Sequence, residues 1–336
     1  MSPYTSAHTD PQGAGDARPT ALQIIQDESL DGGLVGKVMV ITGATSGIGL
    51  ETARALSATG ATLFLTTRDL KKANASLKDI LEPGRVSLVE MDNASFASIR
   101  EAVTTILSAS KGQVNVLVNN AGIMGIQELQ LTVDGHEIHF ATNYLSHFFL
   151  FQLLKPAMLA SATPDFHSRV VMVSSSAHRA WKFNESDNDY SFQRREYHHA
   201  SAYNSSKLAM VYMANEIDRR YGHSGLHATS LHPGAINTDL SRYIGPEFVE
   251  QLLKIESVLK VLKSPEQGAA TTVLAAVGHE WGDRGGRYLE DCREAERGAD
   301  DDDGLGVGYV HQTYDPKQEA LLWKDSLVMV GIADDA

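Results

Sequence analysis

The sequence predicts an α/β protein built as a single doubly wound parallel sheet with helices on both faces. Three observations carry that prediction. Apolar runs of strand length alternate with longer stretches of helical periodicity along most of the chain. A glycine-rich turn, Thr42-Gly43-Ala44-Thr45-Ser46-Gly47-Ile48-Gly49, joins the first apolar run to the first helical stretch. Reactive polar residues follow the later apolar runs, on the carboxyl edge where sheets of this kind hold ligands.

Residues 1–32 are rich in Ser, Thr, Pro, Gly, Asp and Ala and read as a flexible tail with a short helical piece near residues 22–27. The folded domain is expected over 33–336. Lys37-Val38-Met39-Val40-Ile41 suits a buried strand and is too short for a helix; residues 48–58 are the helix after the glycine turn. The pattern repeats with strands over 61–66, 86–91, 114–118, 169–173 and 226–231, and a seventh beginning at Tyr288-Leu289. Helices are expected over 69–81, 96–108, 133–159 and 203–221. Strands alternating with helices pair in parallel through right-handed crossovers. Two segments break the rhythm, 178–200 and 239–265. The second spaces Phe248, Leu252, Ile255, Leu259 and Leu262 as a helix would and is expected to cover the substrate.

Composition excludes several functions. A formal charge of -13 argues against a basic face for nucleic acid or an anionic membrane. The single cysteine, Cys292, cannot pair within the chain, which points to a reducing, cytoplasmic setting. No apolar run reaches membrane-spanning length, and the N-terminus lacks the pattern of a signal peptide. The run Asp300-Asp301-Asp302-Asp303 has no spaced ligands around it and reads as a solvated loop, so no metal site is expected.

The glycine turn fits a phosphate loop. Its glycines let backbone approach a pyrophosphate, and the helix that follows presents free N–H groups. The second strand ends in Thr67-Arg68, where an acidic side chain would bind a ribose 2′-OH. Arginine there suits a 2′-phosphate instead, and so NADP(H). Tyr203 and Lys207 stand at i and i+4 near the start of a helix, on one face, where an ammonium can lower a phenol's pKa. Ser174-Ser175-Ser176 ends the fifth strand, Asn119-Asn120-Ala121-Gly122 follows the fourth, and Asn143 lies within a helix that asparagine does not favour.

Together these pieces resemble the short-chain dehydrogenase/reductase family, which has a Rossmann domain, from about residue 34 to 330. The motifs are the Thr42-to-Gly49 loop, Asp92, the Asn-Asn-Ala-Gly turn, Asn143, the serines, Tyr203/Lys207 and His232-Pro233-Gly234 with Thr238. They look like the classical branch. Thr67-Arg68, the long stretch from Ser175 to Tyr203 and Ser264-Pro265-Glu266-Gln267-Gly268-Ala269-Ala270 are similar to the retinol-dehydrogenase-like and WW-domain-oxidoreductase-like group. The last phrase also recurs in microbial members tied to secondary metabolism.

The resemblance implies that Tyr203 is the general acid in reduction and base in oxidation. Lys207 lowers its pKa and bonds the nicotinamide ribose. Ser175 orients the substrate, with Ser174 and Ser176 as rivals, and Asn143 holds a water linking Lys207 to solvent. Gly43, Ser46, Gly47, Ile48 and Gly49 would meet the pyrophosphate, Asp92 the adenine and Asn119 the adenosine ribose. Pro233, Gly234, Ile236 and Thr238 complete the cofactor set. The implied activity is an NADP(H)-dependent interconversion of hydroxyl and carbonyl on a small, hydrophobic molecule, with a homodimer formed through helices near 133–160 and 203–221. Candidate substrate liners are Met124, His178, Trp181, Phe183, Tyr243 and Phe248. Reduction of an activated C=C bond and a non-catalytic nucleotide-binding scaffold are the alternatives.

Overall fold

The computed structural model describes residues 2–183, 189–243, 245, 250–251 and 253–334. Strands β1 (Val38–Thr42), β2 (Thr62–Thr67) and β3 (Val86–Glu90) are followed by β4 (Val116–Asn119), β5 (Ser168–Val173) and β6 (Leu226–His232). Two short strands, β7 (Ala235–Ile236) and β8 (Leu262–Lys263), pair apart from the main sheet, which ends with β9 (Arg287–Glu290) and β10 (Arg293–Glu294). The main sheet runs β10-β9-β6-β5-β4-β1-β2-β3 and is parallel except for β10. Chain order reverses between β1 and β4, which opens a crevice at the carboxyl ends of those strands. The sheet is doubly wound, as expected.

Each face of the sheet has its own core. On one side lie α4 (Phe96–Ala109), α5 (Ser146–Ser161), α6 (His199–Tyr221) and α9 (Pro316–Val330), with Tyr144, Phe148, Phe151 and Trp323 packed among them. On the other side lie α1 (Ala21–Asp27), α2 (Gly47–Ala58) and α8 (Ala270–Val277), which bury Ile24, Ile25, Leu56 and Val273. The central strands are apolar on both faces because both faces are covered. Among the described residues no helix is long and apolar enough to cross a membrane.

The structure departs from expectation in several places. Residues 2–32 are packed, not a loose tail. Ile24 and Ile25 of α1 are fully buried against α8 and α2, and Thr20 caps the helix by accepting from Gln23 N–H. The helix expected over 133–159 begins only at Ile138 and passes through a π-helical turn, Ala141–Leu145, before α5; Val133 is 85% exposed. The helix α3 (Leu70–Ser76) stops short of 81, and α6 starts four residues before Tyr203. Cys292 is 1% exposed and lies 3.7 Å from Thr271 Oγ1. It follows Asp291 in a tight turn where both residues take positive φ, 51° and 56°. Burial pushes its thiol up to about 11.

Candidate active site

A cleft of about 800 Å³ opens along the carboxyl edge of the sheet. At one end stands the loop between β1 and α2. Gly47 has φ 54°, and a Cβ there would meet Thr238 at 3.1 Å. A Cβ on Gly49 would sit 2.2 Å from Gly43 O and 2.4 Å from Asn120 Nδ2. The loop is therefore a thin main-chain cradle, and Ser46, as N-cap, leaves its side chain without a capping bond. The first N–H groups of α2 have no helical acceptor and suit an anion. Thr42 braces the floor: its Oγ1 accepts from Asn120 N (2.9 Å) and Ala121 N (3.0 Å) and meets His147 Nε2 at 2.9 Å. His147 Nδ1 faces the Asn143 carbonyl (2.8 Å), an acceptor, so Nδ1 carries the proton. Burial holds His147 down at about 4 and keeps it neutral.

Ile48, Arg68, Asp92, Pro233, Gly234 and Ile236 line the same cleft. Asp69 caps α3 through Lys72 N (2.8 Å). Arg68 is exposed and makes no ion pair or hydrogen bond among the described residues. Asn119 departs from expectation. Its side chain is fully buried inside the sheet, 3.1 Å from Met172 Sδ, and the next residue, Asn120, lines the cleft instead. Strand parity turns the two asparagines opposite ways. The described groups fit a dinucleotide: a glycine cradle at a helix N-terminus, then an open arginine one strand away.

Tyr203, Ser175 and Lys207 meet in the middle of the cleft. Tyr203 and Ser175 line it side by side, and Ser175 acts to lower the pKa of the phenol. The Ser174 hydroxyl instead donates to Lys207 O (2.7 Å), and of the three serines it is Ser175 that acts on the phenol. Lys207 Nζ donates to Val173 O (2.9 Å) and lies 5.7 Å from the Tyr203 ring centre. Burial lowers Lys207 to about 7. Burial also raises Tyr203 to about 12, against the Ser175 hydrogen bond, which lowers it. The expected lowering of Tyr203 by Lys207 does not act in the protein alone, where both groups are desolvated. Asn143 is a buried strut: Oδ1 accepts from Ile123 N (2.7 Å), and Nδ2 donates to Ile123 O (3.0 Å) and Ser206 Oγ (2.9 Å).

At the far end the lining is apolar and differs from the expected set. Met124 lines it. His178 is buried between Ser175 O and Thr313 Oγ1, Trp181 and Phe183 pack on the core, and Tyr243 stacks against Arg242 at the surface. Phe248 and Leu252 lie outside the described residues. Of the helically spaced set Leu262 lines the cleft and Ile255 and Leu259 do not; Val258 and Val261 of α7 (Glu256–Val261) line it as well, with Leu253 before them and Leu305 from a distant loop. The α7 segment is tied down by the N-terminal arm. Arg18, 4% exposed, donates to Val261 O (3.0 Å), Leu262 O (2.6 Å) and Gly13 O (3.0 Å). Gln267, of the Ser264-to-Ala270 phrase, accepts from Gly15 N–H and donates to Asp16 O and Arg18 O. His8 pairs with Asp291, which also holds Lys263.

This geometry agrees with sequence kinship. A family model described as short chain dehydrogenase matches residues 37–186. The short-chain dehydrogenase/reductase prx1 of Penicillium roqueforti is 47% identical over 332 residues, which cover 98% of this chain and 96% of that protein. Human retinol dehydrogenase 13 is 34% identical over 88% of this chain and 85% of its own length. A protein from Mycobacterium paratuberculosis shares the fold in its crystal structure, with a TM-score of 0.66 and 29% identity over 89% of this chain and 94% of that one. The chain belongs to the short-chain dehydrogenase/reductase family of oxidoreductases.

Proposed function

We propose that this protein interconverts a hydroxyl and a carbonyl on a small apolar molecule, using NADP(H). The observation that carries the reading is the meeting of Tyr203, Ser175 and Lys207 in one cleft with the glycine loop and an Arg68 that pairs with none of the described residues. When bound, the nicotinamide supplies or accepts the hydride. The chain's own groups do the rest. Ser175 holds the substrate oxygen. Tyr203, protonated at neutral pH, gives its proton to that oxygen in reduction and recovers it in oxidation. Lys207, fixed by Val173 O, stands close enough for its charged form to stabilise the phenolate as it develops. The α2 N-terminus takes the pyrophosphate and Arg68 the 2′-phosphate. Asp69 supports NADP(H) over NAD(H), because its carboxylate caps α3 and is not left to pair with Arg68.

The test is a panel of ketones, alcohols and enones with NADPH and NADH, run on the native protein and on Tyr203→Phe. The substitution should lower kcat by about 10³-fold while NADPH binding persists. Unchanged turnover would sink the mechanism. An enone reduced to its saturated ketone, and not to the allylic alcohol, would move the assignment to C=C reduction.

A further inference from the structure

We propose that Arg179 is a positioning residue that holds the 299–308 loop as the substrate-side wall of the cleft, with Leu305 its specificity-determining contact for an uncharged molecule with an extended apolar part. The inference deepens the carbonyl–alcohol reading and rests on it. Arg179 lies four residues after Ser175, on the 3-10 turn Ser176–Ala180 that Ser175 caps, and is 1% exposed. A guanidinium has five N–H donors in a fixed plane. Here each has an acceptor in one loop. Nε donates to Asp303 O (2.9 Å), Nη1 to Val307 O (2.7 Å) and Gly308 O (3.2 Å), and Nη2 to Ala299 O (2.9 Å) and Asp301 Oδ1 (2.8 Å). Four of the five are main-chain carbonyls that no helix or strand satisfies. The loop is shaped to the guanidinium: a Cβ on Gly298 or Gly306 would sit 2.5 Å from an Arg179 nitrogen. One side chain therefore sets both the turn that carries Ser175 and the loop opposite it.

The consequence is an apolar side chain stationed at the rim. Gly304 stands over Ala177 and Ala180, where a Cβ would lie 3.6 and 3.3 Å from them, and Leu305 lines the cleft beside Ser176 and Ala177 while 89% exposed. Exposed leucine at a rigidly held position gains by being covered, and a ligand reaching past Ser175 would cover it. Val258 and Val261 line the same cleft. The loop's acids are taken up in ion pairs, Asp301 with Arg179 and Asp302 with Lys182, and do not line the cleft, so the loop offers a ligand Leu305 and no charge of its own. The acidic residues 300–303 are exposed, as expected of a solvated loop.

The experiment compares 6-methoxy-2-acetonaphthone with 2-butanone on the native protein, Leu305→Asp and Arg179→Lys. Naphthyl-ketone binding in the presence of NADPH is read by its fluorescence, and turnover by NADPH oxidation. The expected result is a tenfold or greater rise in the naphthyl ketone's Kd and KM in both variants. The loss falls on KM and not on kcat, and the kcat/KM preference for the naphthyl ketone over butanone falls tenfold. Adding Leu305→Asp to Arg179→Lys should contribute little more, since lysine cannot reach all five acceptors. Equal losses on both ketones, unchanged affinity, or no binding of the naphthyl ketone by the native protein would overturn the proposal. Binding without NADPH oxidation would overturn the carbonyl–alcohol reading and leave the loop's role standing on the Kd. If Arg179→Lys does not fold, Leu305→Asp, at an exposed side chain, still decides.

Discussion

The two ends of the cleft are built from different materials. The cofactor end is main chain: the tips of β1, β2 and β4 and a loop so tight that a single Cβ at Gly49 would strike Gly43 O. The substrate end belongs to no strand of the main sheet. Its walls are residues 253–263 and 299–308, and a buried arginine is prominent in the attachment of each, Arg18 for the first and Arg179 for the second, beside the Lys263/Asp291 ion pair and Glu290. Main-chain architecture tolerates little change. Walls held largely by side chains are open to change in a way that the main-chain cradle is not.

Substitutions can break that contrast, and the largest effect should come from the cofactor end. Gly49→Val should raise the NADPH Kd by about 10³-fold, or about 4 kcal/mol, because the loop must open to admit the side chain; fluorescence titration measures it. Binding within threefold of native would show that the cradle is softer than its contacts imply. Arg18→Met comes next. It removes the Arg18 donors from the partly buried carbonyls at Val261 and Leu262 and should reduce unfolding stability by about 1–2 kcal/mol, read from the urea midpoint. Its KM for an apolar ketone should rise while its NADPH Kd stays near native. An equal loss at both ends would mean the arm supports the whole fold and not the substrate wall. The smallest effect is expected from Arg68→Ala: NADPH binding weakens by about 10–30-fold, or about 1.4–2 kcal/mol, with NADH unaffected. A parallel loss for NADH would remove the 2′-phosphate assignment.

The same contrast explains what was legible in the sequence. The cofactor end is local. Strand, glycine turn and helix are neighbours in the chain, and Tyr203 and Lys207 are one helical turn apart, so spacing alone brings them together. Asn119 against Asn120 is a question of strand parity, which a one-residue uncertainty in a strand's end reverses. The substrate end is non-local. Arg18 reaches carbonyls 243 and 244 residues away, and Arg179 reaches across more than 120. Nothing around residue 18 carries a period, and the arm's polar composition imitates a loose tail, although Ile24 and Ile25 have a core to enter. Trp181 and Phe183 illustrate the converse: aromatic residues after Ser175 suit a pocket, but Tyr190 and Tyr212 offered them a core. Leu305 had no signal beyond its place in a glycine-rich loop. The helix expected from Val133 failed because a short-range bridge between Leu131 and Glu137 competes with it.

Cys292 turns this arrangement into a clock. Its thiol is sealed under the turn it shares with Asp291, the residue that His8 of the arm and Lys263 of the substrate wall both grip. An alkylating reagent can reach it only when that turn lifts, so the labelling rate of native protein counts how often the turn opens. With a single thiol in the chain, the count comes from one place. A ligand that latches the wall would slow the clock, and loss of the arm's grip would make it run fast.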